Sequence, residues 1–199
     1  MKKIVLILIA GCIFSDLASA SISVVLDGTP VFNGTDFTWT YSADLGSEEV
    51  IGGSVLSYFT IYDFVGLDSV VSAPTGWTYS EQLTGVTPSG VVPSDNPGIE
   101  NITFDYIGAE VDGSQSLGDF VLTSSDGALN TNGNFSFQTG SNEIETKFQA
   151  PDESIDQGIG RVTVPTAITP EPKLGSLIAL GAGLLGLAAR RRRFVTRIR

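Results

Sequence analysis

Carboxyl groups are the side chains of this sequence that could do chemistry. The 199 residues include 22 Asp and Glu, one cysteine and no histidine. That composition excludes a His/Cys zinc site, a histidine-ligated haem, and a Ser-His-Asp or Cys-His catalytic pair. The sequence also contains no G-x-S-x-G, H-E-x-x-H or Walker A pattern. Two carboxylates at a suitable separation would suffice for a glycosidase, so that interpretation stays open beside a simple solvated acidic surface.

Calcium binding is the second chemistry that acidic turns support, because carboxylate and carbonyl oxygens are the ligands that Ca²⁺ prefers. The candidate ligands are Asp112, Asp119 and Asp126, and residues 152–156 form a further acidic stretch. None of them belongs to a twelve-residue EF-hand loop, so the alternative is a set of acidic turns that bind nothing. We predict no metal and no cofactor, and Asp112, Asp119 and Asp126 are the calcium candidates that we single out.

Tryptophan offers a third chemistry, which is stacking against a sugar ring. Trp77 follows the turn-like sequence Pro74-Thr75-Gly76 and is predicted to be exposed, which makes it the candidate for sugar stacking. Trp39 alternates with threonines and is predicted to lie in the core instead.

The charges are divided among three segments. Residues 1–20 carry a net charge of +1, residues 21–169 carry −18 and residues 170–199 carry +6, within a total of −11. The central segment has only Lys147 and Arg161 as basic side chains. Because phosphate groups are bound by Lys and Arg, we expect no nucleic-acid partner.

Residues 1–20 are typical of a secretory signal peptide, with a basic start and an apolar stretch over residues 4–14. Ala18 and Ala20 form an A-x-A cleavage site, so a signal peptidase is an expected partner. Two alternatives stay open. One is a short buried helix, and the other is lipidation of Cys12 within a lipobox-like sequence.

The C-terminal segment is predicted to cross a membrane once. Residues 174–189 are uncharged and would reach about 24 Å as a helix, close to the ~30 Å of a hydrocarbon core. By the positive-inside rule, the basic tail 190–199 stays cytoplasmic and the acidic body lies outside. The membrane stop consists of four consecutive residues, Arg190, Arg191, Arg192 and Arg193. A buried core helix and a nucleic-acid-binding arginine patch are the alternatives.

Pro170, Glu171 and Pro172, followed by a Leu/Gly/Ala-rich span and a terminal arginine cluster, resemble the PEP-CTERM sorting signal. The resemblance implies a protein of Gram-negative bacteria that is held transiently in the inner membrane. It further implies processing there by an exosortase, a membrane-embedded protease or transpeptidase, and a destination at the cell surface or in an exopolysaccharide matrix. The two prolines would keep the motif extended just outside the membrane.

The body, residues 21–165, is predicted to be an all-β antiparallel sandwich. Aromatic and hydroxyl residues alternate in several short segments, which is the strand pattern. Residues 59–64 are apolar on both faces and suit a central strand, whereas residues 84–99 are predicted to form a long surface loop. Turn pairs punctuate the segments: Asp27-Gly28, Asn33-Gly34, Gly52-Gly53, Asp112-Gly113, Asp126-Gly127 and Asn132-Gly133.

The body also resembles an uncharacterised group of exosortase-sorted proteins, through residues 59–64, 74–77 and 101–103. That resemblance brings no assigned activity. Residues 166–173 are then the linker that carries the sorting motif.

We therefore predict a signal helix, a β-sandwich ectodomain and a single transmembrane helix. The predicted function is that of an exported, non-enzymatic cell-surface or matrix protein associated with exopolysaccharide or biofilm. The alternatives are a carbohydrate-binding module and a secreted glycosidase.

Overall fold

The computed structural model describes residues 22–141 and 154–167, and all regular structure within them is β-strand. The strands are β1 (Ile22–Leu26), β2 (Val31–Phe32), β3 (Phe37–Leu45), β4 (Glu49–Ile51), β5 (Ser57–Ile61), β6 (Leu67–Ser72), β7 (Trp77–Gln82), β8 (Asn101–Tyr106), β9 (Val111–Asp112), β10 (Gln115–Ser124), β11 (Ala128–Ser141) and β12 (Ser154–Thr166).

Two antiparallel sheets contain these strands. The first has the order β1-β3-β10-β6, with β2 also paired to β3, and the second has the order β7-β8-β5-β11-β4-β9. Strand β12 pairs with β11 along residues 128–141, so β5 and β4 share the opposite edge of β11. The prediction of an all-β antiparallel body is confirmed for the described residues.

Alternation along β3 shows how the sequence builds the core. Trp39, Tyr41, Ala43 and Leu45 are buried, whereas the residues between them are at least partly exposed. Alternate side chains point to opposite faces of a strand, so β3 places its apolar face toward the second sheet. Strand β5 differs because all five of its residues are buried. Strand β5 lies between β8 and β11, so the prediction of a central strand is confirmed for residues 59–61. It was wrong for residues 62–64, which follow the end of the strand at Ile61.

Aromatic side chains from both sheets meet in the middle of the sandwich. The ring of Phe120, from β10, lies 4.9 Å from that of Phe59 and 4.7 Å from that of Phe104, measured between centroids. Both pairs are edge-to-face, the geometry in which the positive ring edge meets the negative ring face. Trp39 is fully buried and donates from Nε1 to the Asp126 carbonyl at 3.2 Å, so its predicted core position is confirmed.

The turn pairs behave in two ways. Asn33-Gly34 forms the β2–β3 turn as predicted, with Asn33 Oδ1 accepting from the amides of Thr35 and Asp36. The prediction of a turn at Asn132-Gly133 was wrong, because both residues lie inside β11. The register against β12 shifts between Asn130 and Gly133, which marks a bulge. A Cβ at Gly133 would lie 2.6 Å from the Val162 carbonyl oxygen, so close strand approach explains this glycine.

Candidate functional site

Trp77 does not provide the exposed sugar-stacking surface that the sequence predicted. It is 8% exposed, and its ring lies 5.5 Å from Phe59 and 5.2 Å from Phe120. The reason is register. Trp77 opens β7 opposite Tyr106, on the face of the sheet that points toward the core. The prediction of an exposed Trp77 was therefore wrong, and its role in the described structure is to fill the core.

The large exposed aromatic side chains of the described residues are Phe32 and Tyr79, which are 56% and 48% exposed. Phe32 belongs to the first sheet and Tyr79 to the second. Because they lie in different sheets, they do not form one continuous stacking platform of the kind expected for a glycan.

The three calcium candidates are not brought together. Asp112 lies in β9 of the second sheet, Asp119 lies in β10 of the first sheet, and Asp126 lies in the turn after β10. Across residues 22–141 and 154–167, no group of three or more Asp, Glu, His or Cys is placed to hold a metal ion. The three candidate aspartates therefore do not form a calcium site in the described structure.

The terminal predictions lie outside the described residues. They are the cleavage site at Ala18 and Ala20, the motif Pro170-Glu171-Pro172, and the arginines 190–193. In the part of the chain that the structure describes, no helix is long and apolar enough to cross a bilayer.

A buried carboxyl group that the sequence analysis missed lies at one end of the sandwich interior. Glu49, at the start of β4, has no exposed surface. Its Oε2 atom is in close contact with the hydroxyl of Thr139 on β11, whereas its Oε1 atom is buried and has no hydrogen-bond partner. Such an unsatisfied buried oxygen is costly, because the water that solvated it has not been replaced.

Asp156 completes this group, which we call the Glu49–Asp156 pair. Asp156 lies on β12 directly opposite Thr139, the residue whose hydroxyl contacts Glu49. The pKa of Glu49 is raised to about 7, chiefly by burial, with further contributions from the negative charge of Asp156 and a hydrogen bond with it; the hydrogen bond from Thr139 acts in the opposite direction. A carboxyl group of this kind could donate a proton at neutral pH.

One sequence signal could have found Glu49. Glu49 and Ile51 are two residues apart in the run Glu48-Glu49-Val50-Ile51, so a strand there points both side chains to one face. Because Ile51 is a natural core residue, Glu49 had to be buried with it. The interaction with Asp156, more than a hundred residues away, had no local signal.

The face of the second sheet that points away from the core carries a network of hydroxyl groups. The connection between β7 and β8 covers this face. It contains no strand, as predicted for a long surface loop over residues 84–99. The Tyr62 hydroxyl donates to the Val86 carbonyl at 2.8 Å and bonds the hydroxyls of Thr87 and Ser136 at 2.9 and 2.8 Å. Thr60 also donates to the Val86 carbonyl, at 2.8 Å. The loop is therefore held on the sheet by hydrogen bonds and not by apolar packing.

The far end of the same loop is fixed by side chains near Asp63. The Asn96 amide donates to Asp63 Oδ1 at 2.8 Å, and the Asp63 amide donates to Asn101 Oδ1 at 2.8 Å. Asn101 in turn donates from Nδ2 to Asp95 Oδ1 at 3.0 Å. Both ends of the loop are therefore tied to the sheet, which explains how a segment without regular structure is ordered.

We expect Tyr62→Phe to lower the free energy of unfolding by about 1–3 kcal/mol, since it leaves buried partners without their hydrogen bonds. Limited proteolysis should also cut the loop between β7 and β8 faster. Tyr79→Phe is the matched control because Tyr79 is exposed, and it should change neither quantity. Equal cleavage rates for Tyr62→Phe and the wild type would show that the network does not hold the loop.

Comparison with known proteins finds little. No family model and no curated protein matches the chain. One similar solved structure is described as AvmM, which catalyses macrocyclisation in alchivemycin A biosynthesis. It is 7% identical, with 75% of this chain and 90% of that chain covered, at a TM-score of 0.31. A similarity this low supports no argument about function.

Proposed function

We propose that this chain is an exported, non-enzymatic protein of the cell surface or extracellular matrix, delivered by a signal peptide and a PEP-CTERM sorting signal. The observation that carries the proposal is the order of segments at the C-terminus. Pro170-Glu171-Pro172 is followed by the uncharged span 174–189 and then by four arginines. Each segment has a distinct physical task, and the order suits a chain that is stopped in the inner membrane and then released.

The limits of the folded body support this proposal. Strand β1 begins at Ile22, shortly after Ala20, and β12 ends at Thr166, shortly before Pro170. Cleavage after Ala20 by a signal peptidase and at the motif by an exosortase-type protease would leave every described strand intact. The body could therefore be released without unfolding.

The burial of the Glu49–Asp156 pair argues against its use as a glycosidase pair. A glycosidase must present two carboxyl groups to a sugar at the surface of a cleft. In the Glu49–Asp156 pair, Glu49 has no exposed surface and is not presented to a glycan. The strongly acidic surface would keep a secreted protein soluble, and exopolysaccharide is the proposed setting.

Replacing Pro170, Glu171 and Pro172 together with alanine tests the proposal in a Gram-negative host that encodes an exosortase. We expect wild-type chain to appear shortened and outside the inner membrane, whereas the variant stays at full length in the inner-membrane fraction. Ile168→Ala/Thr169→Ala changes the same linker but keeps the motif, so it should behave as the wild type. Identical fractionation of the wild type and the triple variant would refute sorting through this motif.

A further inference from the structure

Hydrogen bonding around the Glu49–Asp156 pair is asymmetric. Asp156 Oδ1 accepts from the backbone amide of Gln157 at 2.7 Å, a bond that stabilises an ionised carboxylate. Glu49 Oε2 is satisfied by the Thr139 hydroxyl, but that hydroxyl has only one proton to give. Glu49 Oε1 is buried and has no donor at all. A proton on Oε1 would remove this defect, because it would turn an unsatisfied acceptor into a donor.

Among the residues that the structure describes, no positive charge faces Glu49. From β12 comes Asp156, and β11 contributes only neutral side chains beside Glu49, namely Thr139 and Ser141. On the neighbouring β9, Asp112 pairs with Val50, so it points to the other face of the sheet. The basic side chain of the described residues is Arg161, which lies farther along β12 and contacts Asn132 at 3.4 Å.

We propose that Glu49 and Asp156 share one proton, held on Glu49 Oε1 and donated to the Asp156 carboxylate, and that this proton closes the end of the sandwich where β4, β11 and β12 meet. In this state the pair carries one negative charge and both carboxyl groups are hydrogen-bonded. Loss of the proton leaves two neighbouring negative charges, one on the fully buried Glu49 and one on the half-buried Asp156. Repulsion then weakens the pairing of β4 and of the first residues of β12 with β11, the strand between them, so this end of the sandwich opens as pH rises.

The direction of the pH effect follows from linkage. The pKa of Glu49 is raised to about 7, from an ordinary value of 4.5, so the folded chain binds this proton more tightly than the unfolded chain does. The stabilisation is complete below the ordinary value and is lost as pH rises through about 7. Burial also raises the pKa of Asp63 and of Asp105, so these two groups likewise make the folded chain less stable as pH rises. The test therefore compares variants rather than pH values alone.

The Glu49 side chain can be titrated directly, by following its carboxyl carbon by NMR in the full-length chain in a mild non-ionic detergent. We expect a midpoint near 7 in the wild type and a lower midpoint in Asp156→Asn, where the neighbouring charge is gone. A wild-type midpoint below 5, or a midpoint that Asp156→Asn leaves unchanged, would overturn the proposal.

Urea unfolding between pH 5 and pH 9 gives an independent readout. In Glu49→Gln the side-chain amide donates the hydrogen bond to Asp156 at every pH. The urea midpoint of this variant should therefore fall less than that of the wild type between pH 5 and pH 8. We expect the two to be equal near pH 5 and the variant to be the more stable at pH 8.5. The control Glu48→Gln alters the adjacent residue and should keep the wild-type slope. If the unfolding midpoint of Glu49→Gln falls with pH as steeply as that of the wild type, the shared proton is refuted. If Glu49→Gln does not fold, the NMR titration of Asp156→Asn is the deciding test.

Discussion

Replacing Trp77 with alanine is expected to lower the free energy of unfolding by about 3–5 kcal/mol, the usual loss for a large buried aromatic side chain. Trp77 is 8% exposed and contacts aromatic rings from both sheets, Phe59 and Phe120. Its removal leaves a cavity between the sheets, which the surrounding rings cannot fill because strand pairing holds their backbones in place. The same change should leave glycan binding without a specific defect, because the ring is not at the surface.

Equilibrium unfolding in urea would measure this loss, with the slope of the transition used to check that both proteins unfold in one step. Tyr79→Ala is the matched control. Tyr79 lies two residues along the same strand and is 48% exposed, so its truncation should cost far less. Similar losses for the two variants would mean that Trp77 does not join the sheets as described.

Gly160→Ala is expected to destabilise the sandwich by about 1–3 kcal/mol, although it adds only one methyl group. A Cβ at Gly160 would lie 2.3 Å from Cε1 of Phe135, its partner on β11. The Phe135 ring is 4% exposed, so it occupies the space above the glycine and has no solvent-exposed position to move into. Gly158 has the same relation to Phe137, with a closest approach of 2.5 Å.

A double variant makes the Gly160 prediction specific. Phe135→Leu shortens the side chain that covers the glycine, so Gly160→Ala should cost less in that background than in the wild type. Gly98→Ala is the control, because a Cβ there meets only Asn96 Oδ1, at 3.4 Å. Equal costs for Gly160→Ala with and without Phe135→Leu, in thermal or urea unfolding, would show that the ring is not the source of the strain.

The strands could be predicted from sequence because their signal is local. Alternation in Phe37-Thr38-Trp39-Thr40-Tyr41 requires only that neighbouring side chains point to opposite faces, so β3 and its buried face were identified correctly. Turn pairs were less reliable. Asn33-Gly34 forms a turn, but Asn132-Gly133 lies in a bulge, and only the partner strand β12 distinguishes the two.

The candidate site was harder to predict, since burial of a side chain depends on distant strands. Trp77 follows a turn and would be exposed in a lone hairpin. It is buried because Phe120 arrives from the other sheet. The Glu49–Asp156 pair likewise forms only when β11 places Thr139 between β4 and β12.

The sequence by itself determined the all-β class of the body and its acidic charge, because alternation and charge are properties of neighbouring residues. Only the tertiary structure decided which aromatic rings fill the core, that the three calcium candidates stay apart, and that a glutamate is sealed inside. Those outcomes depend on which strands pair and in what register. A shift of one residue would turn every side chain of a strand to the opposite face.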